Sequence, residues 1–245
     1  MYTEVLLVSW IYNAYSDIGD REKNEDRCDV RLVEDSLFAV LADGMGGFRG
    51  GEIASALVIS TFEEMFAHGR AQELDQVLKT ANEKILERQH ELGFKMKTTA
   101  AAVCISDDSA QIAHVGDSRV YAFSRGQLVF RTTDHSAAQM CVDMGEITEE
   151  GIREHPDRCV LTRSLGSGED IKVDVHKLEK GSFDSLLICS DGFWGNVYEQ
   201  EMCDALAQAQ APLEWIEKML EKRRQRTKDD NDNNTAVAIM YGREG

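Results

Sequence analysis

The sequence predicts an α+β fold with antiparallel β-sheet at its core and helices packed over it. Three observations lead to this prediction. Two segments with helical periodicity stand together, and most strand-like runs follow them as a group rather than alternating with helices. These runs are joined by connections too short for a parallel crossover, which needs about a dozen residues or more. Hydrophobic residues make up 42% of the 245-residue chain, which is enough to bury a sizeable core.

The first predicted elements are one strand and two helices. An apolar run over residues 37–42 ends at Asp43-Gly44, which predicts a buried strand that leads into a turn. A helix follows, in which apolar side chains recur at every fourth position: Ala54, Val58, Phe62 and Phe66. A second helix is predicted over about residues 74–92, where apolar residues again form one stripe.

The hydrophobic period then changes from that of a helix to that of a strand. Short strands that pair antiparallel with their neighbours are predicted at 99–105, 111–115, 120–123 and 128–130. Residues 134–160 are polar and weakly helical, which predicts an excursion from the sheet. Further strands are predicted at 173–178, 186–189 and 236–241. A helix that carries Leu213, Ile216, Met219 and Leu220 lies between the last two of them.

Composition limits the domain organisation, the partners and the compartment. No Gly/Ser-rich or low-complexity segment divides the chain, so one domain over residues 1–245 is expected. The formal net charge of −17 disfavours nucleic acid and anionic membranes as partners, and it also allows clustered carboxylates that hold cations. The apolar stretch at 5–11 is too short for a membrane span and lacks a signal peptide's layout. Six cysteines without a CxxC pair are typical of reduced thiols, which predicts a cytoplasmic protein.

Four aspartates stand at the ends of strand-like runs. Asp43, Asp117 and Asp191 follow such runs, and Asp232 precedes one. A single aspartate there is usually a turn former, but Asp43 and Asp191 each precede a glycine, which exposes a backbone carbonyl beside the carboxylate. Oxygen ligands of this kind suit Mg2+ or Mn2+. The sequence lacks the matched His and Cys spacing that would indicate a zinc site. Two such ions can activate water while neutralising phosphate, so the pattern favours phosphoester hydrolysis.

A single arginine near the N-terminus is a candidate substrate clamp. Arg21 stands four residues before Glu25 in an acidic segment. A guanidinium can grip a phosphate with paired hydrogen bonds, although a lone arginine of this kind is more often a surface ion-pair partner. Among the histidines, His114 lies within a predicted strand and is expected to be a half-buried structural residue.

Eight segments, taken in order, carry a resemblance to a known family. They are REKNED (21–26), ADGMGG (42–47), TT (98–99), VGDSR (115–119), TDHS (133–136), HPDR (155–158) with LTRSLG (161–166), CSDG (189–192) and DNNT (232–235). Together they resemble the type-2C, metal-dependent family of serine/threonine protein phosphatases, especially its compact bacterial members. The resemblance implies a four-layer αββα sandwich, in which helices flank two central, mainly antiparallel β-sheets and residues 134–160 form a flap.

The resemblance also implies roles for the acidic residues. Asp43 would bridge two catalytic Mn2+ or Mg2+ ions, with Asp191 and Asp232 completing the shell of one ion and the Gly44 carbonyl serving the other. Glu25 would act through metal-bound water. The attacking group would be water or hydroxide that bridges the two ions.

Two further metal and substrate contacts follow from the same resemblance. Asp117 would hold a possible third, weaker ion together with Asp191. Arg21 would bind the substrate phosphate, and His155 in the flap would contact the substrate. Met45 stands where many eukaryotic relatives have a histidine proposed as general acid, and Lys97 replaces a glycine that usually precedes the two threonines.

Two alternatives remain open at the level of sequence. One is a non-catalytic regulatory module that binds phosphoproteins, although a degenerate member would normally have lost at least one of the carboxylates that are all present here. The other is a hydrolase of small phosphoesters. The expected partners are phosphorylated proteins, produced by a serine/threonine kinase, and the expected oligomeric state is a monomer.

Overall fold

Two antiparallel β-sheets pack face to face at the centre of the protein. A computed structural model describes residues 10–33, 35–45, 50–67, 73–106, 109–226 and 231–242, so residues 5–9 of the apolar stretch and Gly46 and Gly47 of the ADGMGG motif lie outside the described residues. The described strands are β1 (Trp10–Asp17), β2 (Asp26–Val33), β3 (Ser36–Met45), β4 (Lys97–Thr98), β5 (Ala100–Ile105), β6 (Ser109–Val115), β7 (Arg119–Ser124), β8 (Gln127–Arg131), β9 (Asp174–Glu179), β10 (Ser185–Cys189) and β11 (Asn234–Tyr241).

Each sheet takes its strands from distant parts of the sequence. The first sheet has the order β1-β11-β10-β7-β8, and the second has the order β2-β3-β5-β6-β9, with β4 paired to β3. All of the strand pairings among the described residues are antiparallel. The antiparallel α+β sandwich predicted from the sequence is therefore confirmed.

Helices cover the outer face of each sheet. They are α1 (Gly51–Ala67), α2 (Leu74–Leu92), α3 (Ala137–Asp143), α4 (Asp191–Trp194), α5 (Glu199–Gln208) and α6 (Pro212–Arg226), with a 3-10 helix at Glu149–Glu154. One apolar core lies between the second sheet and α1 and α2, another between the first sheet and α5 and α6, and a third between the two sheets. Four layers result, as the family resemblance implies.

The side-chain alternation of β3 shows why its sequence is a continuous apolar run. Phe38 and Val40 face α1 and α2, whereas Leu37, Ala39 and Leu41 face the other sheet. Because successive side chains of a strand point to opposite faces, a strand that is buried on both faces must be apolar at every position. The run predicts the strand for this reason.

The structure corrects several details of the sequence-based prediction. Strand β3 continues through the Asp43-Gly44 pair instead of ending there, because Gly44 and Met45 pair with β4. Consecutive strands β6 and β7 do not pair with each other, since the turn between them carries the chain from the second sheet to the first. His114 is fully buried rather than half-buried, because it lies between the sheets.

Strands β1 and β2 and helix α5 are the longest of the elements that the sequence does not predict. Strands β1 and β2 contain many polar residues, and β1 is an edge strand that is largely exposed on one face, so neither gives a clear apolar alternation. Helix α5 precedes α6 where only one helix was expected. Among the described residues, no helix is both long and apolar enough to cross a bilayer.

Candidate active site

One cavity gathers seven of the eight residues that the sequence singles out. Its volume is about 670 Å³, and it lies at one end of the sandwich, where β3 and β6 end, β10 leads into α4, and β11 begins. The predicted residues in its lining are Arg21, Glu25, Asp43, Gly44, Asp117, Asp191 and Asp232. Residues more than two hundred positions apart in the sequence therefore face the same space.

Strand register explains how the carboxylates converge. In the second sheet, Asp26 at the start of β2 lies opposite Asp43 near the end of β3. In the first sheet, Cys189 at the end of β10 lies opposite Ala236 near the start of β11. The residues just beyond these ends, including Asp191 and Asp232, are thus brought to the same edge of the sandwich.

Burial and mutual repulsion disfavour the ionised form of the carboxyl groups at the acidic centre. Burial raises the pKa of Asp43 well above its usual range, and the neighbouring charges of Asp26 and Asp191 raise it further. The pKa of Asp117 is also raised well above its usual range, first by burial and then by Asp191. The pKa of Asp191 is raised mainly by burial and next by Asp232. Because proximity of like charges disfavours ionisation, a bound cation would relieve this repulsion.

Asp26 belongs to this centre although the sequence analysis gave it no role. Its pKa is raised to about 7, mainly by burial and in part by Asp191 and Asp232, while the hydrogen bond from Ser190 opposes the shift. Its Oδ2 accepts the Ser190 hydroxyl at 2.8 Å, while its Oδ1 is buried without a hydrogen-bond partner in the protein. Such an orphaned carboxylate oxygen is what a cation or a cation-bound water would satisfy. The REKNED motif contained Asp26, but the neighbouring Glu25 received the assignment.

The donor set fits hard divalent cations. The carboxylates and the Gly44 carbonyl offer oxygen, which Mg2+ and Mn2+ prefer. Glycine is required at position 44, because a Cβ there would lie 2.3 Å from the Gly51 carbonyl oxygen at the start of α1. The Asp-Gly pair therefore lets the strand approach the helix closely.

Glu25 lies between β3 and the start of α1. Burial raises the pKa of its carboxyl, and backbone N–H groups of Glu52 and Gly51 oppose this shift by donating to the carboxylate. Its carbonyl accepts the Gly44 N–H at 3.3 Å. The first turn of a helix favours a negative charge, so this position suits a carboxylate.

Arg21 is at the rim of the cavity and is paired with Asp232. Its Nε donates to Oδ1 at 3.0 Å and its Nη2 donates to Oδ2 at 3.2 Å, so the guanidinium grips the carboxylate with two bonds. About half of each side chain is exposed to solvent. The same planar fork can grip two oxygens of a phosphate.

Asn233 fastens the segment that carries Arg21 and Glu25 to the strand that follows Asp232. Its Oδ1 accepts the Glu25 N–H at 2.8 Å, and its Nδ2 donates to the carbonyls of Ile18 and Lys23 at 2.8 and 2.9 Å. Sequence reasoning assigned no role to Asn233. The sequence feature that points to Asn233 is its place beside Asp232 in the DNNT motif.

Two threonines hold the backbone of Asp43. The Thr98 hydroxyl donates to the Asp43 carbonyl at 2.8 Å, and the Thr99 hydroxyl accepts the Asp43 N–H at 3.0 Å. Thr99 also shares a hydrogen bond of 2.7 Å with the Ser118 hydroxyl, which joins the Asp43 strand to the turn that carries Asp117. The TT motif therefore positions the centre rather than lining it.

His155 does not line the cavity. Its Nδ1 accepts the Asp157 N–H at 3.1 Å, within the turn that follows the 3-10 helix. Its contact with substrate stays a prediction. Two other residues near the end of the 134–160 segment, Cys159 and Leu161, do line the cavity, and the Cys159 Sγ lies 4.0 Å from the Asp191 Oδ2.

This fold and this acidic centre define a class of protein: an α+β sandwich with a cluster of carboxylates that could hold divalent cations beside an exposed guanidinium. Comparison with known proteins then identifies the family. The family model described as "Protein phosphatase 2C" matches residues 15–232. The chain belongs to the protein phosphatase 2C family.

Named relatives and solved structures agree with this membership. The serine/threonine phosphatase stp of Listeria monocytogenes serovar 1/2a is 33% identical over 197 residues, which cover 76% of this chain and 78% of that protein. The structure of serine/threonine phosphatase Stp1 from Staphylococcus aureus matches with a TM-score of 0.85 at 27% identity, covering 96% of this chain and 95% of that one. The catalytic domain of the phosphatase PstP, solved with two manganese ions, matches with a TM-score of 0.78 at 29% identity, covering 94% and 97%.

Proposed function

We propose that this protein is a metal-dependent phosphatase that hydrolyses phosphoserine and phosphothreonine in other proteins. The observation that carries the proposal is the single cavity that brings together Asp43, Asp191 and Asp232 with Arg21 at its rim. Membership of the protein phosphatase 2C family and the serine/threonine phosphatases among its relatives support the reaction and the substrate class. The phosphatase solved with two manganese ions supports Mn2+ or Mg2+ as cofactor.

The acidic residues divide into three roles in this proposal. Asp43 would contact two cations, with Asp191 and Asp232 on one of them and the Gly44 carbonyl on the other. Glu25 would hold a water molecule of that second cation. Two hard cations held by these residues would neutralise the phosphate charge and lower the pKa of a water molecule.

The protein's own side chains orient the substrate and the acidic centre. Arg21 binds two phosphate oxygens and fixes the phosphoryl group over the carboxylates, which lowers the entropic cost of the reaction. Thr98, Thr99 and Asn233 hold the backbone of the metal-binding residues in place. Met45 lines the cavity but carries no ionisable proton, so it is not the group that protonates the leaving oxygen.

Further parts of the proposal concern the organisation of the protein. Residues 1–245 form one catalytic domain, and residues 134–160 act as a flap beside the cavity, which Cys159 in that segment lines. His155 contacts the substrate from the flap, and Asp117 with Asp191 holds a third, weaker cation. The protein acts as a monomer on the products of a serine/threonine kinase. All six cysteines are free thiols, which supports a cytoplasmic location, and the negative charge opposes binding to nucleic acid and anionic membranes.

Turnover of a phosphothreonine peptide tests the proposed function. We expect Mn2+-dependent release of phosphate, no activity with excess EDTA, and recovery when Mn2+ is restored. The value of kcat/KM should exceed that for p-nitrophenyl phosphate by at least about tenfold, because contacts remote from the phosphate also contribute to catalysis. Phosphopeptide binding without turnover would instead indicate a regulatory module. A preference for the small ester would indicate a small-phosphoester hydrolase.

A further inference from the structure

His135 holds the turn that precedes Asp117 with two hydrogen bonds. The His135 backbone N–H donates to the Gly116 carbonyl at 3.0 Å, and the His135 Nδ1 accepts the Gly116 N–H at 3.0 Å. Both polar groups of one glycine are therefore satisfied by one histidine. Gly116 has a φ of +105°, and a Cβ there would lie 2.7 Å from the Thr99 side chain, so this position of the turn requires glycine.

The hydrogen bond to Nδ1 determines where the imidazole carries its proton. Because Nδ1 accepts, the neutral ring must be protonated at Nε2, and Nε2 lies 3.4 Å from the Asp174 Oδ2. The other oxygen of Asp174 accepts from the Arg163 Nη1 at 2.6 Å. Burial lowers the pKa of His135, with a further contribution from Arg163, which keeps the ring neutral and able to accept.

His135 also contacts the chain just beyond the 134–160 segment. Its carbonyl accepts the Thr162 N–H at 2.9 Å, and Arg163, the next residue, reaches Asp174. One histidine therefore joins the Asp117 turn, strand β9 and the end of the segment that returns past the cavity. Through Gly116, His135 is connected to the residue that directly precedes Asp117.

A metal site at this position is the competing interpretation. Ligand atoms of His114, His135 and Asp174 lie within 4.8 Å of one another. However, the His114 and His135 rings are stacked, with centroids 4.7 Å apart and planes 15° from parallel, so their lone pairs do not converge on one point. A metal at the His135 Nε2 would also move the proton to Nδ1, where it would face the Gly116 N–H. The geometry favours a positioning role.

We propose that His135 is a positioning residue that, through its Nδ1 and the Gly116 N–H, fixes Asp117 for binding of the weakest cation at the acidic centre. The inference rests on the assignment of Asp117 within the proposed function. Removing the Nδ1 acceptor leaves the Gly116 N–H unpaired in a buried turn, so the turn relaxes and the Asp117 carboxylate is displaced.

Two substitutions distinguish the roles of the two ring nitrogens of His135. In His135→Asn the Oδ1 replaces Nδ1 as acceptor for Gly116, whereas in His135→Gln the longer amide retains the reach of Nε2 toward Asp174 and places no acceptor beside Gly116. Asp174→Asn is the matched control, because it changes the partner of Nε2 and of Arg163 and leaves the hydrogen bond between Gly116 and Nδ1 in place. Mn2+ binding is followed by titration with electron paramagnetic resonance, which requires no turnover.

We expect the dissociation constant of the weakest Mn2+ site to rise at least about tenfold in His135→Gln, and less than about twofold in His135→Asn and Asp174→Asn. Equal weakening in the Asn and Gln variants, or no change in either, would overturn the proposal. If the variants differ in Mn2+ affinity in this way but the unmodified protein hydrolyses no phosphopeptide, the proposed function fails and the positioning role stands.

A second measurement covers the case in which the Gln variant does not fold. The nitrogen chemical shifts of the His135 ring in the unmodified protein report its tautomer directly. We expect a neutral ring protonated at Nε2 at pH 7. A ring protonated at Nδ1, alone or as imidazolium, cannot accept from Gly116 and would contradict the proposal.

Discussion

Replacing Asp191 with asparagine is expected to lower kcat for Mn2+-dependent hydrolysis of a phosphothreonine peptide by at least about a thousand-fold. Asp191 stands at the centre of the acidic group, since it contributes to the raised pKa values of Asp26, Asp43 and Asp117. An amide is a weaker ligand for a hard cation and carries no charge to balance it. The loss therefore appears in both metal affinity and turnover.

The fold should survive this substitution. Removing one of several buried like charges lowers the repulsion in the metal-free protein, so its melting temperature should stay the same or rise. The increase in melting temperature that Mn2+ causes in the unmodified protein should become smaller. Asp204→Asn is the matched control, because Asp204 is exposed on α5 and hydrogen-bonds to Gln200. Full activity in Asp191→Asn would show that the site is assigned wrongly.

Replacing Arg21 with alanine should lower kcat/KM for the phosphopeptide by about a hundredfold. This is the magnitude expected from losing a bidentate, charge-assisted interaction with the phosphate. Arg21→Lys should recover only part of the loss, because an ammonium group lacks the planar fork of a guanidinium. Steady-state kinetics at saturating Mn2+ provide the measurement.

The ion pair between Arg21 and Asp232 gives this prediction a second readout. Without Arg21, the Asp232 carboxylate is released from the two hydrogen bonds that it accepts from the guanidinium. The Mn2+ concentration needed for half-maximal activity should therefore not increase. Arg88→Ala is a suitable control, since the Arg88 side chain is exposed on α2 and pairs there with Glu91. A normal kcat/KM together with a raised Mn2+ requirement would make Arg21 a support for Asp232 rather than a substrate clamp.

Local sequence patterns were sufficient for the elements that are buried on a clear face. The four-residue spacing in α1 and the apolar run in β3 reflect burial that any globular fold would demand. Strand β1 could not be found in this way, because an edge strand with polar residues satisfies its backbone without an apolar stripe. The change of sheet between β6 and β7 could not be predicted either, because a short connection between strands of two different sheets has the same sequence pattern as a hairpin.

Residues of the candidate site could be singled out from the sequence where a side chain would act by its own chemistry. Asp43, Asp191 and Asp232 have the residue type and the strand-end position that cation binding requires. Asn233, Thr99 and His135 act through backbone groups of other residues, and such partners are fixed only by the three-dimensional fold. Asp26 was overlooked because its burial, which gives its carboxylate a role, depends on pairing with β3.

The most direct test of the central claim is the crystal structure of the protein with Mn2+, with the ions located by their anomalous scattering. We expect two Mn2+ ions about 3.5–4 Å apart, with the Asp43 carboxylate between them, Asp191 and Asp232 on one ion, and the Gly44 carbonyl on the other. Carboxyl groups at 43, 191 and 232 that point away from one another, with no Mn2+ among them, would contradict the account.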